Sequence, residues 1–124
     1  MLSKLSSNSL TQAFFDIYNK DEKRALEVLE FYVDLDLAIK EISRVMKRKS
    51  YQFWIVANRT VKEIKIPNDI IISELFNKYK VKHLHSFYRK IPNKRMPAIN
   101  SPTNISGNNS ETMTAETILM LKKI

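Results

Sequence analysis

Cysteine is absent from the 124-residue chain, so it has no disulfide framework, no thiol nucleophile and no thiolate metal site. Glycine occurs once, at Gly107, which leaves almost nowhere for the backbone to pass close beneath a phosphate or a nucleotide. No apolar run approaches the ~20 residues needed to cross a bilayer. The opening "MLSKLSSNSL" also lacks the apolar stretch of a secretory signal, so the expected location is the cytoplasm. Acidic residues are missing from Leu75 to Ser110, whereas Lys78, Lys80, Lys82, Arg89, Lys90, Lys94 and Arg95 all fall there. Most of the formal net charge of +8 comes from this block, and a one-sign block favours polyanions.

What is present suits one domain. Hydrophobic residues make up 44% of the chain, enough for a packed core. Ser9 and Gln12 read as a capping box, followed by a helical face of Leu10, Ala13, Phe14 and Ile17. Asp21 is placed to cap a longer helix. Its stripe runs through Ala25, Val28, Leu29, Tyr32, Leu35, Ala38, Ile39, Ile42, Val45 and Met46, ending at the cationic Lys47-Arg48-Lys49. "YQFWIVAN" (51–58) is apolar on both faces around Trp54, the pattern of a strand in the middle of a covered, largely parallel sheet. "TVKEIKI" (60–66) alternates and suits a short extension or an edge ribbon. Pro67 and Asn68-Asp69 open a helix over Ile70, Ile71, Leu75, Phe76 and Tyr79.

"VKHLHSFYRKI" (81–91) alternates as a strand, with Val81, His83, His85, Phe87 and Arg89 on one face and Lys82, Leu84, Ser86 and Tyr88 on the other. One of Phe87 and Tyr88 should therefore enter the core. The long "IPNKRMPAINSPTN" (91–104) carries three prolines and three asparagines and builds no regular element. "ETILMLKKI" (116–124) is a last apolar strand. Strand-helix-strand implies two parallel strands with a right-handed crossover, and the final strand, with no crossover helix before it, should return antiparallel.

This order resembles the closing half of a class I, Rossmann-like methyltransferase sheet, an α/β fold. The likeness runs from about Asp21 to Ile124. "LDLAIKEISRVMKRKSYQFWIVAN" is similar to the helix that turns into the fifth strand of such enzymes. "NRTV", "IPNKRMP", "NSPTN" and "TMTAE", in that order, resemble one group: site-specific DNA methyltransferases that modify an exocyclic amine, adenine N6 or cytosine N4. The resemblance implies residues 1–20 as an N-terminal helical segment and 21–124 as a partial methyltransferase domain with a DNA-facing loop over 92–113.

Those enzymes bind S-adenosylmethionine on a glycine-rich turn and hold the target amine with an Asn/Asp-Pro-Pro-aromatic tetrad. The chain has one glycine and no Pro-Pro. Both parts are expected upstream of Met1, which makes the chain either the remnant of an interrupted gene or one piece of a split enzyme with an upstream polypeptide as partner. The complete enzyme would use S-adenosylmethionine, while this chain alone would bind none and methylate nothing. The missing fourth-strand neighbour should leave an apolar edge beside Trp54 that recruits another chain.

Ligands of open α/β sheets sit beyond the carboxyl ends of the parallel strands. Asn58, Arg59 and the 92–113 loop share that edge, so double-stranded DNA is the expected partner. Lys94 and Arg95 would meet phosphates, and Arg59 and Arg89 are expected among the DNA-binding residues. Asn93, Asn100 and Asn104 would offer paired donors and acceptors to base edges, although Asn100 and Asn104 serve equally as turn formers. Phe87 or Tyr88 could stack on an extruded base, with Tyr88 taken as the DNA-binding one. His83 and His85 lack a third ligand, so no metal site is expected. A stand-alone basic nucleic-acid-binding module without catalysis fits the same charge block, and a helix-rich interaction protein fits the N-terminal helices alone.

Overall fold

The computed structural model describes residues 2–90, 99–100, 110–111 and 115–124. In chain order the elements are α1 (Leu2–Leu5), α2 (Asn8–Tyr18), α3 (Glu22–Val45), β1 (Tyr51–Val56), β2 (Arg59–Val61), β3 (Ile64–Ile66), α4 (Asn68–Asn77), β4 (Val81–Lys90), β5 (Ile99–Asn100), β6 (Ser110–Glu111) and β7 (Ala115–Lys123). None of the described helices is long and apolar enough to cross a membrane.

The helices start where short polar side chains can satisfy orphan N–H groups. Ser7, not Ser9, caps α2: its Oγ accepts from the Leu10 N–H at 3.1 Å. Ser9 lies inside the first turn, because the chain already turns helical at Asn8. Asp21 caps α3 as the pattern predicts, accepting from the Arg24 N–H at 3.2 Å. That bond, assisted by Lys62, holds the Asp21 carboxyl below its ordinary pKa. All four apolar residues of the α2 face are buried. On α3 the stripe is buried at Ala25, Val28, Leu29, Tyr32 and Ile39. The helix ends at Val45, before the basic triplet, and Val45 itself faces solvent.

β2 and β3 form a small hairpin packed against α2. Its two turn residues, Lys62 (φ 51) and Glu63 (φ 66), sit in the left-handed region usually held by Asn-Gly. Burial of Val61 and Ile66 on either side pins this register.

The main sheet has the order β1-β7-β4. β7 is antiparallel to both neighbours, as expected of the last strand. β1 and β4 consequently run in the same direction, but they do not pair with each other. The expected parallel ladder is absent among the described residues, where every paired strand is antiparallel, because β7 is inserted between the two. The fold is α/β with an antiparallel sheet.

The helical layer lies on one face of this sheet. Phe76 of α4, fully buried, meets the Trp54 ring edge-on at 5.2 Å. Leu119 and Leu121 of β7 and Val81 of β4 complete the floor of the core. The expectation that β1 is covered on both faces fails here. Trp54 and Val56 face the core, while Phe53 and Ile55 remain 60% and 61% exposed on the opposite face. β1 is also an edge strand, paired among the described residues only with β7.

A second departure comes from β4. Its register with β7 shifts between His83 and His85, leaving Leu84 as a bulge. The extra residue moves the alternation by one. His83 lies opposite the buried Leu121, and Ser86 lies opposite Leu119, on the core side. His85 and Phe87 point to the other face, stacked edge-on at 4.6 Å. The two histidines therefore do not share a face. Among the described residues no cluster of three or more His, Cys, Asp or Glu is arranged to hold a metal.

Candidate nucleic-acid interface

The carboxyl ends of β1 and β4 meet at one edge of the sheet. Thr117 of β7 is the register partner of both Val56 and Tyr88, and Ala115 lies opposite Lys90. Asn58 and Arg59, which follow β1, leave from the same side. The segment between Lys90 and Ala115 thus starts and ends at this edge.

Just beyond β1 the chain is tied down by asparagine side chains. Asn58 Oδ1 accepts from the Asp69 N–H at 3.4 Å, at the start of α4. Asn68 Nδ2 donates to the Ala57 carbonyl at 3.3 Å, and its Oδ1 accepts from the Tyr32 hydroxyl at 2.8 Å. Asn58 is therefore a turn-fixing residue whose carboxamide oxygen is already engaged. The Arg59 guanidinium lies 5.9 Å from the centre of the Phe31 ring, a cation–π distance that steadies an otherwise exposed side chain.

Tyr32 is the buried end of this network. Burial pushes its phenol up to about 12, against a small opposing pull from the Arg59 charge. Tyr79 is also raised, by burial and by its hydrogen bonds to Asp36. Both phenols stay protonated in the fold at pH values where the unfolded chain loses their protons, so the stability they contribute is complete below pH ~10. It should drain away as pH rises from there toward about 12 for Tyr32. Urea midpoints measured across this range should fall with pH, and Tyr32→Phe should make the fall shallower. An equally steep fall in the variant would exclude Tyr32 as the titrating group.

The other residues predicted for the interface fare differently. Tyr88 is 76% exposed on the α4 side of the sheet. Phe87 is 46% exposed on the opposite face, so neither aromatic enters the core. The reason is local: Tyr88 lines the open groove beside α4 instead of packing under the helix, and the face bearing Phe87 carries no described helix. Arg89 is ion-paired with Glu116 across β4 and β7, which weakens it as a free cation. Asn93, Lys94, Arg95 and Asn104 lie outside the described residues, and of Asn100 only the backbone is described.

Lys78, which belongs to the basic block, is turned inward. Its Nζ lies 2.7 Å from Asp36 Oδ1 and donates to the Lys4 carbonyl at 3.0 Å. Lys80, Lys82 and Lys90 make no ion pair among the described residues. Beside α4, a groove of about 560 Å³ opens between that helix and β4, with Glu74, Lys82, His83, Ser86 and Tyr88 in its wall. His83 Nε2 and Ser86 Oγ are 2.7 Å apart within it.

Phe31, Tyr32 and Asn68 belong to this edge, and the sequence pattern marks none of them as part of an interface. Phe31 sits next to the buried stripe of α3 rather than in it, and an aromatic off the stripe is the one signal that distinguishes it.

The described part of the edge does not suit S-adenosylmethionine. Asn58 Oδ1 and both ends of the Asn68 carboxamide are engaged by the protein's own groups, and no glycine lies among the described residues. The two buried polar atoms without a partner among the described residues, Ser43 Oγ and Glu74 Oε1, belong to α3 and α4 rather than to this edge.

No protein-family model matches the chain. The type II methyltransferase M.MvaI of Kocuria varians is 70% identical to it over 122 residues, which is 98% of this chain. The chain spans only 27% of that relative's length. A solved structure described as a DNA modification methylase from Thermus thermophilus superposes with a TM-score of 0.51 over 88% of this chain and 40% of its own, at 17% identity. The second likeness is one of fold. Together they bear out the methyltransferase resemblance drawn from the sequence.

Proposed function

We propose that the chain is the C-terminal part of a site-specific DNA methyltransferase of the restriction-modification type, acting on an exocyclic amine. In this reading it supplies contacts to double-stranded DNA and no catalytic or cofactor-binding group. The observation that carries it is the 70% identity to a type II methyltransferase across nearly all of this chain but only 27% of that enzyme. The whole enzyme would draw its methyl group from S-adenosylmethionine, held by residues this chain does not contain. The three strands would then be the closing strands of a larger Rossmann-like sheet, with the polypeptide that carries the rest of the enzyme as partner.

The DNA-facing residues in this reading are Arg59, Tyr88, Arg89, Asn93, Lys94, Arg95, Asn100 and Asn104. Support comes from the shared edge at which β1, β4 and β7 meet and from Lys90, which stands at that edge without an ion pair among the described residues. Arg59 and Arg89 would hold phosphates, with Arg89 exchanging Glu116 for a backbone phosphate. Tyr88, exposed at the edge, offers its ring face to a base. Lys94 and Arg95 would neutralise backbone charge, and the three asparagines would meet base edges.

The test is the salt dependence of DNA affinity. Each phosphate contact removed should lower the slope of log K against log salt by about 1. Lys94→Ala and Arg95→Ala should each do so, and Arg59→Ala likewise. Unchanged slopes in all three would place the DNA elsewhere. The alternative, a stand-alone basic binder, fits the charge but leaves the bare face of the sheet without a reason.

A further inference from the structure

Arg24, Arg44 and Arg89 are each matched to a carboxylate, those of Glu27, Glu41 and Glu116. Arg59 is held differently. Among the described residues its side chain makes no ion pair and no hydrogen bond, and its guanidinium carbon stands 5.9 Å over the centre of the Phe31 ring. The difference is chemical. A carboxylate orients an arginine by offsetting its charge and occupying its N–H groups. An aromatic face attracts the cation through the ring quadrupole and leaves both the charge and the donors open.

Both members of this pair are held from behind. Phe31 lies on α3 beside the fully buried Tyr32, the two rings meeting edge-on at 5.0 Å. Tyr32 is close enough to Arg59 for the guanidinium charge to act on its phenol. The backbone around Arg59 is fixed as well. The Ala57 carbonyl accepts from Asn68 Nδ2, and Asn58 Oδ1 accepts from the Asp69 N–H. Arg59 itself pairs with the buried Ile66 across the β2–β3 hairpin. What remains free is the long side chain, and that is the part Phe31 restrains.

We infer that Phe31 is a positioning residue for DNA: its ring holds the Arg59 guanidinium at the sheet edge, still charged and with open N–H groups, ready to take two oxygens of one backbone phosphate. The inference rests on the reading of Arg59 as a DNA-facing residue and adds the group that orders it. An arginine free in solvent loses rotamer freedom when it meets a phosphate, whereas one already lodged on a ring has lost much of it on folding. Phe31 acts through Arg59 and needs no contact with DNA itself.

The experiment titrates a short labelled DNA duplex with the full chain, following fluorescence anisotropy over a range of salt concentrations. Phe31→Leu, which keeps an apolar side chain but no ring, should weaken binding about 2–10-fold, the ordering of one long side chain expressed as a ratio of Kd. The salt slope should stay at the wild-type value, because the Arg59 charge still meets the phosphate. Arg59→Ala should instead lower that slope by about 1. Phe31→Leu added to Arg59→Ala should have no further effect on affinity. Phe31→Tyr, which restores the ring face, should bring back the wild-type affinity. The melting temperature of Phe31→Leu should stay near that of the wild type, since Phe31 is half-exposed.

A Phe31→Leu chain that binds as tightly as wild type, while Arg59→Ala lowers the slope, would overturn the inference and leave the DNA reading standing. An equal loss from Phe31→Leu with and without Arg59 would mean that the ring meets DNA itself or shapes the fold, and would overturn it too. Phe31→Tyr as weak as Phe31→Leu, or a marked fall in melting temperature alongside the loss, would do the same. An unchanged slope and affinity in Arg59→Ala would remove Arg59 from the DNA, and the inference would fall with the reading beneath it. A wild-type chain that ignores the duplex would have the same consequence.

Discussion

Phe76→Ala is expected to lower folding stability by about 3–5 kcal/mol, the usual loss when a buried phenylalanine leaves a cavity. Phe76 is fully buried, and its ring is the link between α4 and β1 through Trp54. Among the described residues the sheet has no second helical layer from which neighbours could move in, so the void should persist. Against a total of roughly 5–15 kcal/mol for an ordinary domain, such a loss is enough to unfold much of the population. Urea denaturation monitored by Trp54 fluorescence measures it directly. Phe76→Leu, which keeps most of the volume, should cost well under half as much. Equal losses for both would mean that the edge-on aromatic contact, rather than the filled space, is what matters.

Removing Lys78 should be nearly as damaging, for an electrostatic reason. Lys78 and Asp36 are paired at 2.7 Å with side chains only 18% and 15% exposed, and the Tyr79 hydroxyl donates to the same carboxylate. Lys78→Met leaves Asp36 largely desolvated with only the phenol as partner. Breaking a buried pair from one side costs about 3–5 kcal/mol, and the residual exposure here points to the lower end. Asp36→Leu combined with Lys78→Met should recover most of the loss, since no uncompensated charge remains. A double variant as unstable as the single one would contradict this account. The same substitution separates structure from binding. Lys78→Met should leave the salt slope for DNA unchanged, unlike Lys94→Ala or Arg95→Ala.

Lys78 also shows why the basic block was only partly legible. Along the chain, seven cations without an acid look like one positive surface. In the fold, Lys78 turns inward to Asp36 and Arg89 crosses to Glu116, both partners distant in sequence. A charge census cannot see such pairings. The caps and stripes of the helices were far more readable. Asp21 and the face of Leu10, Ala13, Phe14 and Ile17 were legible because a capping bond and a helical turn reach only three or four residues. The shared edge of β1, β4 and β7 was readable in outline, from strand direction. Phe31 and Tyr32 were not marked as part of it, because their partners there lie on other elements.

The residues taken in order were sufficient to set the three main helices, the three strands of the sheet, the antiparallel return of the last one and the methyltransferase resemblance. All of these depend on periodicity, caps and motifs within a few residues of one another. Folding added what depends on distant partners: the insertion of β7 between β1 and β4, the bulge at Leu84 that parts His83 from His85, and the uncovered face bearing Phe53 and Ile55. An apolar run such as Phe53-Trp54-Ile55-Val56 records that both its faces want cover. Whether the same chain supplies that cover is a question of which elements meet in space, and among the described residues it covers only one.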